Sequence, residues 1–240
     1  MGYPETAFLA PAAGNAWQAR YFSPLAEVPF CGHATIASGV VLGRRSGSGT
    51  YTFATGAGEV SVQVLREGDA WRASLQSVPT QQRPVPMDLL DEALAALDWR
   101  RAELDPQLRP ILAFAGAWHL VLAVAQRQRL ERLHYDFERL KTLMLAQELT
   151  TLQLVWRESP TRFHARNPFP VGGVVEDPAT GAAAAALGGY LRDAGLMPMP
   201  GAFQILQGAS MGRPSLLHVT VPASGGIIVS GNAVDMPAAD

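Results

Sequence analysis

Trp17 to Phe22 (WQARYF) alternates apolar and polar side chains, as a half-buried strand does. The pattern then changes. Ala34 to Arg45 carries small and branched apolar residues at helical spacing and predicts the first helix. TYTFATGAGEVSVQVL (residues 50–65) and AWRASLQSV (residues 70–78) predict strands, with Arg66 to Asp69 as the hairpin turn between them. Proline and polar residues crowd PTQQRPVPM (residues 79–87), which reads as a linker. Asp88 is predicted to cap a helix in LLDEALAAL, and Asp136 another in FERLKTLMLAQEL. Strands are expected over 109–115, 118–125, 151–156 and 161–166, a further helix over 182–194, and closing strands over 202–207, 215–222 and 226–231. Many strands and few helices, without regular βαβ alternation, predict an α+β fold.

An internal repeat changes that picture. With Gly32 placed on Gly181, GHATIASGVVL (residues 32–42) matches GAAAAALGGYL (residues 181–191), with glycine recurring at Gly39 and Gly188 and leucine at Leu42 and Leu191. Both helices are small and apolar nearly all round, so each should be buried against a sheet. A glycine-rich bend follows each, at Gly56 and Gly208. Two similar halves follow: residues 1–78, joined by a C-terminal strand over about 226–240, and residues 79–225.

Charge and cysteine content narrow the class. The chain has 240 residues, a net charge of -2 and no block of basic residues, which argues against nucleic acid and anionic membranes as partners. One cysteine excludes an intrachain disulfide, and MGYPETAFLAPAAG lacks the basic start and apolar core of a signal peptide. The longest apolar run, Pro110 to Ala125, is too short to span a bilayer. The expectation is a cytoplasmic protein.

Candidate chemistry is sparse. The five histidines are scattered without metal-ligand spacing, so no metal is expected, and no phosphate loop occurs. His119, in an apolar strand, reads as a hydrogen-bonded core residue; His164 alternates with Arg162 and Arg166 on one polar face. Ser210, in GASMG, has the spacing of a nucleophile elbow. A strand-like segment follows it instead of a helix, and no acid separates it from His218, so a serine hydrolase is a remote alternative and a glycine-rich turn the better reading. Glu5 lies in YPETAF, and Cys31, Gly32 and His33 open the first helix. Glu176, Asp177 and Pro178 precede the second. A helix N-terminus presents free N–H groups and binds anions, and Gly32 and Gly181 let a ligand approach the backbone. A carboxylate and an imidazole at such a place can move a proton. For Asp177 the competing role is N-capping, which Thr180 could also perform; for Glu5 it is a surface residue at a frayed end.

Taken together, ETAFL (residues 5–9), EVPFCGHATIASGVVLG (27–43), GVVEDPATGAAAAALGGYL (173–191) and QGASMGRPS (207–215) resemble the phenazine-biosynthesis PhzF family, whose fold is that of diaminopimelate epimerase. The resemblance implies two pseudo-symmetric halves, each a curved sheet around a central helix, with the active site between them. It implies an isomerase or epimerase that moves a proton on a small carboxylate-bearing metabolite, without organic cofactor or metal. Glu5 takes the place of the family's general acid/base, and His33 and Asp177 match polar residues that orient substrate or assist proton transfer. Gly32, Gly181 and Ala182 stand where backbone N–H groups bind substrate.

It also implies a homodimer. Pro4 and Ala182 depart from the serines usual at those places, which removes hydroxyls that could hold a carboxylate. Family members carry about 40 residues before the glutamate, so the first half is expected to lack its opening strands. A non-catalytic or degenerate small-molecule-binding member is the alternative reading. In related racemases two cysteines work in pairs; Cys31 holds the first place and Pro178 the second, so Cys31 is expected to be a buried small apolar residue.

Overall fold

A computed structural model describes residues 5–22, 27, 28 and 30–235. Pro4, and residues 236–240 of the expected closing segment, lie outside the described residues. The chain divides into two compact units, residues 1–76 with 229–240, and residues 77–228.

The first unit holds β1 (Thr6–Pro11), β2 (Ala16–Phe22), β3 (Glu27–Val28), α1 (Gly32–Ser46), β4 (Gly49–Thr55), β5 (Gly58–Glu67) and most of β6 (Ala70–Pro79). Its strands run in the order β1-β2-β4-β5-β6, with β3 beside β2. All neighbours are antiparallel except β2 and β4, which are parallel and joined by the crossover through α1. Tyr21, Tyr51, Phe53, Val62 and Val64 alternate inward along the strands and pack with Val40 and Leu42 of α1.

Two glycines set how close the helix comes, Gly39 of the repeat and Gly43 beyond it. A Cβ on Gly39 would lie 2.9 Å from Val62 Cγ1, and one on Gly43 would lie 2.5 Å from Val64 Cγ1 and 2.7 Å from Trp71 Cε3. Alanine is worth up to about 1 kcal/mol over glycine in a helix. Overpacking a core costs about 1–3 kcal/mol. Gly43→Ala is therefore expected to lose about 1–2 kcal/mol net, measured by urea unfolding; a variant as stable as wild type would mean that α1 can lift off the sheet freely.

The second unit contains β7 (Gln81–Pro84), α2 (Met87–Ala96), β8 (Ile111–Phe114), β9 (Trp118–Val124), α3 (Arg127–Glu131), α4 (Phe137–Ala146), β10 (Leu149–Ser159) and β11 (Arg162–Arg166). It continues with β12 (Pro168–Phe169), β13 (Val174–Glu176), α5 (Gly181–Asp193), β14 (Gly201–Gln207), β15 (Ser215–Val221) and the start of β16 (Gly226–Asn232). The sheet order is β15-β14-β11-β10-β9-β8-β7, with parallel pairs β9/β10 and β11/β14. One face packs Leu112, Leu120, Leu122, Leu152 and Leu154 against α2 and α4. Residues of opposite parity, His119, Val121, Ala123, Thr151, Gln153 and Val155, are buried too, on the α5 side. Strands covered on both faces read as continuous apolar runs, as Trp118 to Val124 does.

α5 is buried from Ala183 to Leu191 without a break, as a small-residue helix in a core should be, whereas α1 exposes Val41 and its basic last turn. A Cβ on Gly188 would come 3.0 Å from Ile227 Cγ2 and 3.2 Å from Val219 Cγ1, the same use of glycine as at Gly39.

Two expectations are corrected. Residues 81–84 of the supposed linker form β7, paired with β8 at the sheet edge; an edge strand tolerates Pro84 because it needs no further ladder donor. Asp88 does not cap α2. Pro86 takes the cap position and Asp88 sits inside the first turn, where it still favours the helix dipole. Asp136 does cap α4, accepting from the Arg139 N–H at 3.1 Å.

Under α5 lies a buried polar cluster. His119 Nδ1 is 2.9 Å from Thr151 Oγ1, and Asn167 Nδ2 donates to Gln153 Oε1 at 2.6 Å. Burial pushes the His119 imidazole down to about 4, opposed only in part by hydrogen bonding to the Thr151 backbone. The folded state thus resists a proton that the unfolded chain accepts near 6.5. Stability from this site is complete above about pH 6.5 and is lost as pH falls towards 4, by roughly 3 kcal/mol in all. Urea midpoints from pH 7 to pH 4 should fall more steeply in wild type than in His119→Gln; parallel curves would remove His119 from the pH response.

Candidate functional site

In the first unit, Glu5 stands immediately before β1, and the antiparallel pairing of Thr6 with Phe22 fixes that strand beside β2. Cys31 is the N-cap residue of α1, in extended conformation, and its side chain makes no capping hydrogen bond. The first helical bond runs from the Thr35 N–H to the Cys31 carbonyl at 3.0 Å, so Gly32, His33 and Ala34 have N–H groups without an acceptor inside the helix. Thr35 holds this end in place: its hydroxyl donates to the Cys31 carbonyl at 2.6 Å and meets the Tyr21 hydroxyl, also at 2.6 Å. Thr35 and Tyr21 are both fully buried, and burial raises the Tyr21 pKa, so Tyr21 remains a neutral hydrogen-bonding anchor.

Glu5, Cys31 and His33 converge at this end of α1. Glu5 Oε2 lies 3.3 Å from His33 Nε2, with the Glu5 side chain 8% exposed and that of His33 24%. The contact is an ion-pair approach rather than an aligned hydrogen bond: among the described residues Glu5 Oε2 is buried and has no hydrogen-bond partner. Cys31 Sγ is 3.6 Å from each ring nitrogen of His33. A buried carboxylate oxygen beside an imidazole, at a helix end whose first N–H groups have no acceptor inside the helix, can accept a proton from a bound molecule and return it.

In the second unit, Asp177, Gly181 and Ala182 lie around the start of α5. Asp177 Oδ2 accepts from the Thr180 hydroxyl at 2.7 Å and Oδ1 from the Ala179 N–H at 3.3 Å. Thr180 is the N-cap residue but makes no side-chain cap bond, because its hydroxyl is turned to Asp177. Gln207, 2% exposed, closes the loop: its Nε2 donates to the Asp177 carbonyl at 2.7 Å and to Thr180 Oγ1 at 3.0 Å, while its Oε1 accepts from the Thr180 N–H at 3.3 Å. Gly181 and Ala182 are half-buried, and the first helical bond runs from the Ala184 N–H to the Thr180 carbonyl, the counterpart of the one at Thr35.

The neighbouring Glu176 is committed elsewhere, in a two-pronged pair with the Arg166 guanidinium. Gly208, at φ 76°, begins the single 3-10 turn that carries Ser210, exposed, into β15; this is a turn and not a strand-to-helix elbow. His164 pairs with Glu158 at 3.0 Å on the polar face of β11. Thr35, Tyr21 and Gln207 escaped sequence reading. Only the threonine of GHAT and the glutamine of QGASMG, set at fixed distances from the glycines, pointed to them.

A family model described as phenazine biosynthesis-like protein (PhzC-PhzF) matches residues 1–238. An uncharacterized isomerase from Deinococcus radiodurans is 31% identical over 230 residues, which cover 92% of this chain and 74% of that protein. The trans-2,3-dihydro-3-hydroxyanthranilate isomerase of Pseudomonas fluorescens is 29% identical over 242 residues, covering 98% of this chain and 82% of its own. A crystal structure of a Bacillus anthracis phenazine biosynthesis protein of the PhzF family has the same fold, with TM-score 0.82 at 21% identity, over 97% of this chain and 83% of that one. No described helix is long and apolar enough to cross a membrane. The chain belongs to the phenazine biosynthesis-like PhzC/PhzF family and is an isomerase of that family.

Proposed function

We propose that this isomerase moves a proton between two carbons of a small carboxylate-bearing metabolite, with Glu5 as general acid/base. The observation that carries the reading is the buried Glu5 Oε2, which accepts no hydrogen bond among the described residues and lies 3.3 Å from His33 Nε2. In the reaction the Glu5 carboxylate takes a proton from one carbon, and the C–H electron pair enters the substrate's conjugated system. The carboxylic acid then returns the proton at a second carbon, so no atom is gained or lost. His33 orients the carboxylate. The N–H groups at Gly32 and at the head of α1 hold a substrate anion. Asp177, fixed by Thr180 and Gln207, and the α5 residues Gly181 and Ala182 are proposed to serve the same reaction. The Pseudomonas fluorescens relative supports the reaction class by its name. Ala182 offers no hydroxyl for a carboxylate, which favours a substrate other than that relative's.

Incubation with small unsaturated carboxylates in deuterated water, followed by proton NMR, tests the reading. Deuterium should enter one carbon-bound position of a substrate at a rate that requires enzyme. Absence of exchange across hydroxylated, cyclic and amino-substituted carboxylates, the relative's substrate among them, would overturn it.

A further inference from the structure

The α5 side of the second unit's sheet changes character along its length. On β9 the residues facing that side run His119, Val121, Ala123, and on β10 Thr151, Gln153, Val155, all of them buried. Polar side chains lie towards the start of the two strands and apolar ones beyond. Asn167, between β11 and β12, joins the polar end: Leu154 pairs with Arg166, and one further step of that register sets Gln153 opposite Asn167. We infer that Asn167 is a positioning residue for Asp177, itself held in place by Gln153 and Thr151. The inference rests on the part in the reaction proposed for Asp177.

Asn167 is tied at two places. Its side-chain Nδ2 donates to Gln153 Oε1 at 2.6 Å and to Thr151 Oγ1 at 3.4 Å, and Thr151 Oγ1 is in turn 2.9 Å from His119 Nδ1. Its main-chain carbonyl accepts the Asp177 N–H at 3.0 Å. The β10–β11 ladder ends at Arg166, and Pro168 has no N–H to extend it, so beyond that point the Asn167 side chain ties the strand to β10. Gln207 holds the far side of the same loop residue, donating to the Asp177 carbonyl at 2.7 Å. Asp177 is thus gripped at both main-chain polar groups, and its carboxylate is placed by β10 and β14 as well as by its own loop.

Stability alone does not account for the polar end. Asn167, Gln153 and His119 are fully buried, and Asn167 Oδ1, Gln153 Nε2 and His119 Nε2 have no hydrogen-bond partner among the described residues. A buried polar atom left so lowers stability, and apolar side chains would pack there without that cost, as Val121 and Val155 do next in line. Broken local rules of this kind gather where function is served, and the residue that Asn167 reaches is Asp177.

A double-mutant cycle tests the inference. Gln153→Met removes the acceptor of Asn167 Nδ2 and leaves Asn167 and Asp177 in place. It should lower kcat/KM for deuterium entry, into the carboxylate that wild type labels, by about 10-fold; a misplacement of about 1 Å can cost roughly 100-fold. Made on top of Asp177→Asn it should cost less than about 2-fold, because a residue that acts through Asp177 has nothing further to lose. Thr151→Ser, which keeps the hydroxyl, should match wild type, and Thr151→Val should fall in the same direction as Gln153→Met. In the free protein the Asp177 amide should exchange with solvent about 10-fold faster in Gln153→Met, read by NMR. Thermal midpoints should stay level, since one orphaned nitrogen is removed and Asn167 Nδ2 keeps Thr151. The same 10-fold loss with and without Asp177→Asn, or a wild-type Asp177 amide in Gln153→Met, would overturn the inference. Full activity of Asp177→Asn would remove Asp177 from the reaction, and no labelled carboxylate in wild type would remove the proton-transfer reading. In either case the Asp177 amide still decides whether Asn167 holds it.

Discussion

Glu5→Gln is expected to lower kcat for carbon-bound proton exchange by about 10²–10⁴-fold, the range over which a positioned acid/base contributes. The amide has the shape of the carboxylate and cannot take the proton. KM should move little if Glu5 acts in the transition state and not in holding the substrate, so kcat and kcat/KM should fall together. Stability should move the other way or stay level. Glu5 Oε2 is buried with no hydrogen bond among the described residues and only the 3.3 Å approach of His33 Nε2, so removing its charge relieves a desolvation cost and gives up only that one contact. That opposition distinguishes a catalytic role from a structural one: a group kept for the fold would lose stability on substitution. Exchange followed by NMR, with a thermal melt of the same preparation, checks both halves. A variant within a fewfold of wild-type kcat would remove Glu5 from the chemistry.

How the site was legible follows from distance along the chain. The head of α1 could be read because Cys31, Gly32, His33 and Thr35 are adjacent and open a helix whose glycines have a twin in α5. The packing role of Gly39 and Gly188 was visible as a repeat, although the valines and isoleucine they meet were not. Glu5 could be named but not placed, since its approach to His33 depends on where β1 lies beside β2, a tertiary fact. Cys31 reads in the sequence as a buried small apolar residue because Pro178 stands where a second cysteine would be, and it is buried; its contact with the imidazole appears only in three dimensions.

Gln207 belongs to the same class, binding the Asp177–Thr180 loop from far along the chain. Local rules failed where an edge strand excused a proline, at β7, and where Pro86 took the cap position from Asp88. In both, competing local signals were close in strength and the sheet or helix settled the choice.

The second large effect is structural. Arg166→Met should destabilise the second unit by about 3–5 kcal/mol, the cost of breaking a buried ion pair from one side. Arg166 grips Glu176 with two nitrogens and donates to the Glu131 carbonyl at 3.0 Å, so it ties β11 to β13 and to α3. Both partners are largely buried, 14% and 8% exposed, so methionine leaves a carboxylate without water or cation. The neighbouring Tyr135 cannot compensate: its hydroxyl already donates to the Val175 carbonyl at 2.6 Å, and burial together with the Glu176 charge holds it firmly protonated.

At about 2–4 °C per kcal/mol for a chain of this size, the thermal midpoint should drop by roughly 10 °C. Arg166→Met with Glu176→Leu should recover a large part of that loss, because the double variant strands no charge. Removing Arg139 from its exposed pair with Glu92 should cost less than about 1 kcal/mol, since water and salt screen that pair. If the single and double variants unfold alike, the carboxylate is not what the arginine neutralises. Because Glu176 adjoins Asp177, whose N–H is held by the Asn167 carbonyl at 3.0 Å, the damage should reach the loop before α5 while leaving the Glu5–His33 contact in the other unit intact.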